Sequence, residues 1–303
     1  MTEEAKVPFG KRSTAEQVLT GLDLSGRTML VTGCNAGIGL ETLRALAAHG
    51  AHVIALARTL EAAKAACAKA PGETTPVACE LADSASIAQA IEAVKALGRP
   101  IDALIANAGI MALPKPMVRD GVELQFLVNH IGHFQLVTGL AEQVRGETGR
   151  IVILSSSASV NLAPKQGILF DNLDGQSFYN PLQFYGHSKL ANALFAKELS
   201  RRIGRGITAN AVHPGVILGT QLTRNVGGPL EFIAHLMSPF SKTIPQGAAT
   251  QVFVAVHPAA LGITGRFWAD CHIARGNPLM DDPAMAKRLW EVSEAIVARR
   301  TRP

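Results

Sequence analysis

Short apolar, β-branched runs alternate along the chain with Ala- and Leu-rich stretches of helical spacing. Arg27–Val31 (RTMLV), Ala51–Ala57 (AHVIALA), Pro76–Cys79, Ile101–Ala106 (IDALIA), Arg150–Leu154, Ile207–Val212 and Gly265–Trp268 have the length and composition of strands. Between them, Gly39–His49, Thr59–Lys69, Ser84–Leu97, Gly121–Val144 and Gln183–Arg202 read as helices. Strands that are apolar on both faces need cover on both sides, and strand–helix–strand alternation makes neighbouring strands parallel through right-handed crossovers. The pattern therefore predicts an α/β fold: one doubly wound parallel sheet of about seven strands with helices on both faces. No repeat or linker divides the chain, so residues 1–26 read as an N-terminal extension and residues 27–303 as a single domain. Asn161–Pro181 and Val216–Pro245 break the rhythm with Gly, Pro, Asn and Asp. Long irregular connections in a compact domain usually serve binding, so substrate loops are expected at about 157–182 and about 216–245.

Composition narrows the function classes. Hydrophobic residues make up 48% of the chain and charged ones 17%, which excludes a disordered protein. Aromatics are only 5%, so Ala, Val, Leu and Ile must build the core. The net charge of +5 is spread along the sequence apart from Arg201-Arg202, Arg205 and a terminal Arg299, Arg300, Arg302 group, which reads as solvated helix faces. No nucleic-acid partner is expected. Cys34, Cys67, Cys79 and Cys271 form no C-x-x-C pair, a usage that suits a reducing compartment. With no apolar leader and no apolar run of about 18 residues, the expectation is a cytoplasmic protein without an integral membrane segment.

The first strand ends in Thr32-Gly33-Cys34-Asn35-Ala36-Gly37-Ile38-Gly39, directly before a helix. Glycines there allow a tight turn, close approach of backbone amides to a pyrophosphate, and tight helix–strand packing. Further along stand Asn107-Ala108-Gly109 at a strand end, Asn129 within VNHIGHF, Ser155-Ser156-Ser157 after Arg150–Leu154, Tyr185-Gly186-His187-Ser188-Lys189, and His213-Pro214-Gly215 with Thr220. Residues four apart share a helix face, so Lys189 can bring its ammonium beside the Tyr185 hydroxyl. A neighbouring cation favours the phenolate, so the tyrosine pKa is expected to fall towards the range useful for acid–base work. His130 and His133 form an H-x-x-H without a carboxylate ligand nearby and read as packing residues, so no metal is expected. Cys34 reads as a small packing residue beside the turn.

These six landmarks, in this order, resemble the short-chain dehydrogenase/reductase family, with a Rossmann-type fold. YGHSKLAN (residues 185–192), PQGAAT (residues 245–250) and LWEVSE (residues 289–294) are similar to its retinol dehydrogenase branch and to the dehydrogenase part of WW-domain oxidoreductases. The resemblance implies hydride transfer between a nicotinamide and a carbonyl carbon. Tyr185 would be the acid/base, Ser156 (or Ser155, by a slip of one) the oxygen's hydrogen-bond partner, Lys189 a ribose ligand, and Asn129 the holder of a relay water. Gly33, Asn35, Gly37, Ile38, Gly39, Asn107, Ala108, Gly109, Pro214, Gly215, Val216 and Thr220 would contact the cofactor, with Glu80 and Leu81 near its adenine. NAD enzymes usually carry Asp or Glu after the second strand; this chain has Ala57-Arg58, and a guanidinium pairs with a 2′-phosphate, so NADP(H) is expected over NAD(H). The apolar residues of the 216–245 loop imply a small hydrophobic carbonyl or alcohol substrate. The surplus of apolar residues on Gly121–Val144 and Gln183–Arg202 implies a homo-oligomer in which these helices meet across a two-fold axis. The alternative reading is a non-catalytic NADP-binding sensor or scaffold on the same fold.

Overall fold

The computed structural model describes residues 7–217 and 241–301. The chain enters through α1 (Ala15–Leu19), held by a capping box between Thr14 and Gln17. It then alternates through β1 (Thr28–Thr32), α2 (Gly37–Ala48), β2 (His52–Ala57), α3 (Leu60–Cys67), β3 (Thr74–Ala78), α4 (Ser84–Ala96) and β4 (Ala103–Ala106). A small hairpin follows, β5 (Val118–Arg119) and β6 (Val122–Glu123), leading into α5. That helix is α over Leu124–Phe126, π over Leu127–Ile131 and α again over Gly132–Leu140. The chain continues through β7 (Arg150–Leu154), α6 (Ala158–Asn161), α7 (Pro181–Arg202), β8 (Thr208–His213), α8 (Ile244–Val256), β9 (Phe267–Ala269), β10 (His272–Ile273) and α9 (Pro283–Arg300).

Eight strands pair in the order β10-β9-β8-β7-β4-β1-β2-β3, all parallel except the short terminal pair β9–β10. The eighth strand is β10, a two-residue extension too short to stand out from its turn in the sequence. Side chains of successive strand residues alternate between two cores. Leu30, Ile54, Leu56, Leu104, Ile151 and Ile153 pack with α4, α5, α7 and α9, while Met29, Val31, Val53, Ala55, Ile105 and Val152 pack with α1, α2 and α8. Both faces are covered, as strands lacking a polar face require.

One expectation is corrected. The helix expected from Gly121 begins at Leu124, because Asp120 (φ 54°) and Gly121 (φ 73°) form the tight turn of the β5–β6 hairpin. Asp-Gly between Val-Arg and Val-Glu is the sequence signal for such a turn. Part of the apolar surplus on α5 and α7 is covered within the chain by α9. Trp290 stands 4.9 Å from the Phe134 ring and 5.8 Å from Phe195, and Leu289 and Ile296 are buried beside them.

The strand order reverses between β1 and β4, whose carboxyl ends leave a crevice between their outgoing loops. Open α/β sheets bind ligands at this point.

Candidate active site

The floor of the crevice is the turn from β1 into α2. Gly33 (φ 73°) and Gly37 (φ 57°) take left-handed conformations that favour glycine. A Cβ on Gly39 would collide with the Gly33 carbonyl oxygen and the Asn107 side chain. Ala36 at the N-cap makes no side-chain hydrogen bond, which leaves the first amides of α2 to an anion. Asn107 Nδ2 donates to the Thr32 carbonyl (2.8 Å), while its buried Oδ1 has no partner among the described residues.

Thr32 also organises the neighbouring elements. Its Oγ1 accepts the amides of Asn107 (2.9 Å) and Ala108 (3.0 Å) and lies 2.9 Å from His133 Nε2. The two amides occupy both lone pairs, so the Thr32 hydroxyl donates to Nε2. The ring proton then sits on Nδ1 and donates to the Asn129 carbonyl, 2.9 Å away. Burial pushes the His133 pKa down to about 4, which keeps the ring neutral as this chain of bonds requires. Asn129 lies in the π segment of α5, fully buried. Its Oδ1 accepts the Ile110 amide (2.8 Å), and its Nδ2 donates to the Ile110 carbonyl and Ser188 Oγ (both 2.9 Å). The β1 turn, the Asn107–Gly109 segment and α5 are thereby one bonded unit. His133, expected only to pack, is its central link.

Helix α7 presents Tyr185 and Lys189 to the crevice. Asn180 caps it by accepting the Leu182 and Gln183 amides, and Pro181 starts it. Tyr185 and Lys189 follow on one face, exposed by only 6% and 4%. Ser156 and Tyr185 line the same cavity, where Ser156 lowers the tyrosine pKa and its Oγ accepts the Ala158 amide (3.1 Å), whereas Ser155 donates to the Lys189 carbonyl (2.7 Å) in the strand–helix contact. The two serines thus hold different partners. Lys189 Nζ donates to the Leu154 carbonyl (3.0 Å) and lies 5.7 Å from the centre of the Tyr185 ring. Burial sets both titrations: it drives Tyr185 up to about 12, against the pull of Ser156, and Lys189 down to about 8. The expected fall of the tyrosine pKa is therefore reversed in this structure, because desolvation penalises phenolate and ammonium alike. A Cβ on Gly109 would stand 3.2 Å from Asn129 Oδ1 and 3.5 Å from Lys189 Nζ, so a glycine there lets the three elements close together.

Around these groups lies a cavity of about 700 Å³. Gly33, Asn35, Gly37, Ile38 and Gly39 line it from one side, with Arg58, Glu80 and Leu81 at one end. Asn107, Ala108, Gly109, Ser156, Tyr185, Lys189, Pro214 and Gly215 also line it. Val216, expected to contact the cofactor, is exposed and is not among the lining residues; Asn129 stands behind Gly109, and Thr220 lies outside the described residues. Arg58 is exposed and has no ion pair among the described residues, whereas Glu80 Oε1 accepts the Ala82 amide (3.0 Å). Met111, Met117 and Val118 add apolar wall. Cys34 is buried, donating its S–H to the Val31 carbonyl, and burial raises its pKa, so its thiol is not activated. Arg119, on the hairpin, is a lining residue that the sequence reading missed.

The short chain dehydrogenase family model matches residues 27–168. Short-chain dehydrogenase TIC 32 B, chloroplastic, of Brassica napus is 38% identical, covering 96% of this chain and 95% of its own length. WW domain-containing oxidoreductase of Danio rerio is 38% identical over 95% of this chain and 73% of that protein, and mouse retinol dehydrogenase 12 is 38% identical over 90% and 87%. Among solved structures, a short chain dehydrogenase from Burkholderia cenocepacia in complex with NADP aligns with a TM-score of 0.63 at 26% identity, covering 81% of this chain and 96% of that one. With the glycine turn, the Tyr185–Lys189 pair and relatives this similar along almost the whole length, the chain belongs to the short-chain dehydrogenase/reductase family.

Proposed function

We propose that the protein is an NADP(H)-dependent oxidoreductase that interconverts a hydrophobic ketone or aldehyde and its alcohol, with Tyr185 as the acid/base. The observation that carries this reading is the convergence of Ser156, Tyr185 and Lys189 on one cavity floored by the glycine turn, with Lys189 Nζ 5.7 Å from the centre of the Tyr185 ring. A nicotinamide dinucleotide fits this cavity. The open amides of α2 suit a pyrophosphate, the buried Asn107 Oδ1 is an acceptor with no donor among the described residues, and the glycine contacts leave no room for side chains. When bound, that cofactor supplies or takes up the hydride equivalent.

The chain's own residues handle the oxygen and its proton. A substrate carbonyl oxygen placed between the Ser156 and Tyr185 hydroxyls accepts from both, so charge developing on oxygen meets two fixed donors. Tyr185, protonated at neutral pH, delivers its proton to that oxygen; in the reverse direction its phenolate takes it back. Lys189, close to its titration at neutral pH, stabilises the phenolate left behind. Arg58, exposed at the cavity end and unpaired among the described residues, supports NADP(H) over NAD(H).

Met117 (53% exposed) and Val118 (43%) line the cavity, and such apolar rims suit a hydrophobic substrate. Among the described residues no helix is long and apolar enough to cross a membrane. The four free cysteines suit a reducing compartment, and we propose the cytoplasm. The test is turnover of a panel of hydrophobic aldehydes and ketones with NADPH and with NADH, read by nicotinamide absorbance. Oxidation of NADPH dependent on one of these carbonyls supports the reading. Tight NADPH binding with no turnover across carbonyls and alcohols would favour a sensor instead.

A further inference from the structure

Beyond the cavity wall stands a group the chemistry above does not use. Lys242 is buried, its side chain only 3% exposed, and its Nζ pairs with Asp270 Oδ1 at 2.6 Å. Its backbone amide donates to the Val216 carbonyl (2.8 Å), and Ile217 bridges to Lys242. Its aliphatic stem presses on Gly215: a Cβ there would be 2.6 Å from Lys242 Cδ and 2.8 Å from Cε. Gly215 itself has φ +99°, a conformation that favours glycine.

The carboxylate is delivered at a conformational cost. Ala269 pairs with His213 across β8–β9, so Asp270 follows just beyond the point where β8 releases the Pro214–Val216 segment. Asp270 (φ 53°) and Cys271 (φ 63°) are both left-handed, forming the two-residue turn between β9 and β10. Such turns favour Asn, Asp and Gly; a cysteine there is strained. The Cys271 amide donates to Thr250 Oγ1 (3.2 Å), which fixes the turn to α8. On the other side, His213 Nδ1 accepts the Ser157 amide (3.1 Å), adjacent to Ser156. Burial and the Lys242 charge hold His213 neutral, as that acceptor role needs.

We propose that the Lys242–Asp270 pair is a latch that positions the Pro214–Val216 segment, and so sets how firmly the protein grips the nicotinamide half of its cofactor. This rests on the cofactor reading above. Lys242 and Asp270 are positioning residues: they act through Gly215 and His213, not on the reacting atoms. Because the segment stands away from Arg58, the latch must affect NADPH and NADH alike.

The test is titration of the full-length protein with NADPH and with NADH, alongside melting temperature. Lys242→Met keeps the stem and removes the charge; it is expected to weaken both cofactors by the same factor, on the order of tenfold. Asp270→Asn, changing a half-exposed group, should give a smaller loss of the same pattern, and the double variant should bind no more weakly than Lys242→Met. Should Lys242→Met fail to fold, Asp270→Asn carries the test. A lowered melting temperature with both affinities within twofold of wild type would make the pair merely structural and overturn the latch. A loss confined to NADPH would overturn it too. Wild-type protein that binds neither cofactor would instead remove the cofactor reading, and the latch with it.

Discussion

Replacing Lys189 by methionine should stabilise the protein while abolishing its activity. The amine is buried and held near 8 in the fold against 10.5 when free. Keeping it protonated at neutral pH therefore costs about 3 kcal/mol. Methionine fills a similar volume without charge. The lost hydrogen bond to the Leu154 carbonyl offsets about 1 kcal/mol, and that carbonyl is not orphaned, since Asn192 Nδ2 also donates to it at 2.9 Å. The net gain is about 2 kcal/mol, or roughly 4 °C in melting temperature for a chain of this size. The sign with pH follows. A lysine whose folded pKa is lowered makes the wild type gain stability as pH rises from 8 towards 10.5, so the advantage of Lys189→Met shrinks over that window. Thermal melts at pH 7 and pH 9.5 read both effects, with nicotinamide turnover beside them. A variant that melts at or below wild type at pH 7, or a gap unchanged at pH 9.5, would refute the claim that the site stores the cost of a buried cation for function.

Arg58→Ala should weaken NADPH by about 10- to 100-fold, the loss of roughly 1.5–3 kcal/mol from a charge-assisted contact, and leave NADH nearly unchanged. Equal losses in fluorescence titrations would mean that the guanidinium only stacks on the adenine. Thr32→Val keeps the shape of β1's end but leaves His133 Nε2 and the Ala108 amide without partners. It should cost about 2–4 kcal/mol in urea denaturation, and Thr32→Ser should restore most of it. An unchanged denaturation midpoint in Thr32→Val would contradict the bonded unit described here.

The strand and helix pattern was legible because every central strand is apolar on both faces and each is followed by a turn with its own chemistry. Thr14, Asp83 and Asn180 all cap the helices they precede. The site was readable where spacing alone carries geometry, as in the four-residue step from Tyr185 to Lys189. It was unreadable where partners are far apart in sequence. His133 meets Thr32 across 101 residues, and neither residue type announces that bond. The direction of the Tyr185 titration is not legible, because helical spacing shows which residues share a face but not how much water is excluded. Nothing local in the sequence says that α9 returns to cover part of the apolar surface of α5 and α7.

The central claim is that Tyr185 moves the proton in a nicotinamide-dependent carbonyl reaction. Its most direct test is Tyr185→Phe, which keeps the ring and its packing and removes only the hydroxyl. NADPH affinity is measured by titration, and turnover is followed with whichever carbonyl the wild type reduces best. The account predicts NADPH binding close to wild type and turnover lower by about 10²–10⁴-fold, the usual contribution of an acid–base group. Turnover within about tenfold of wild type would contradict it.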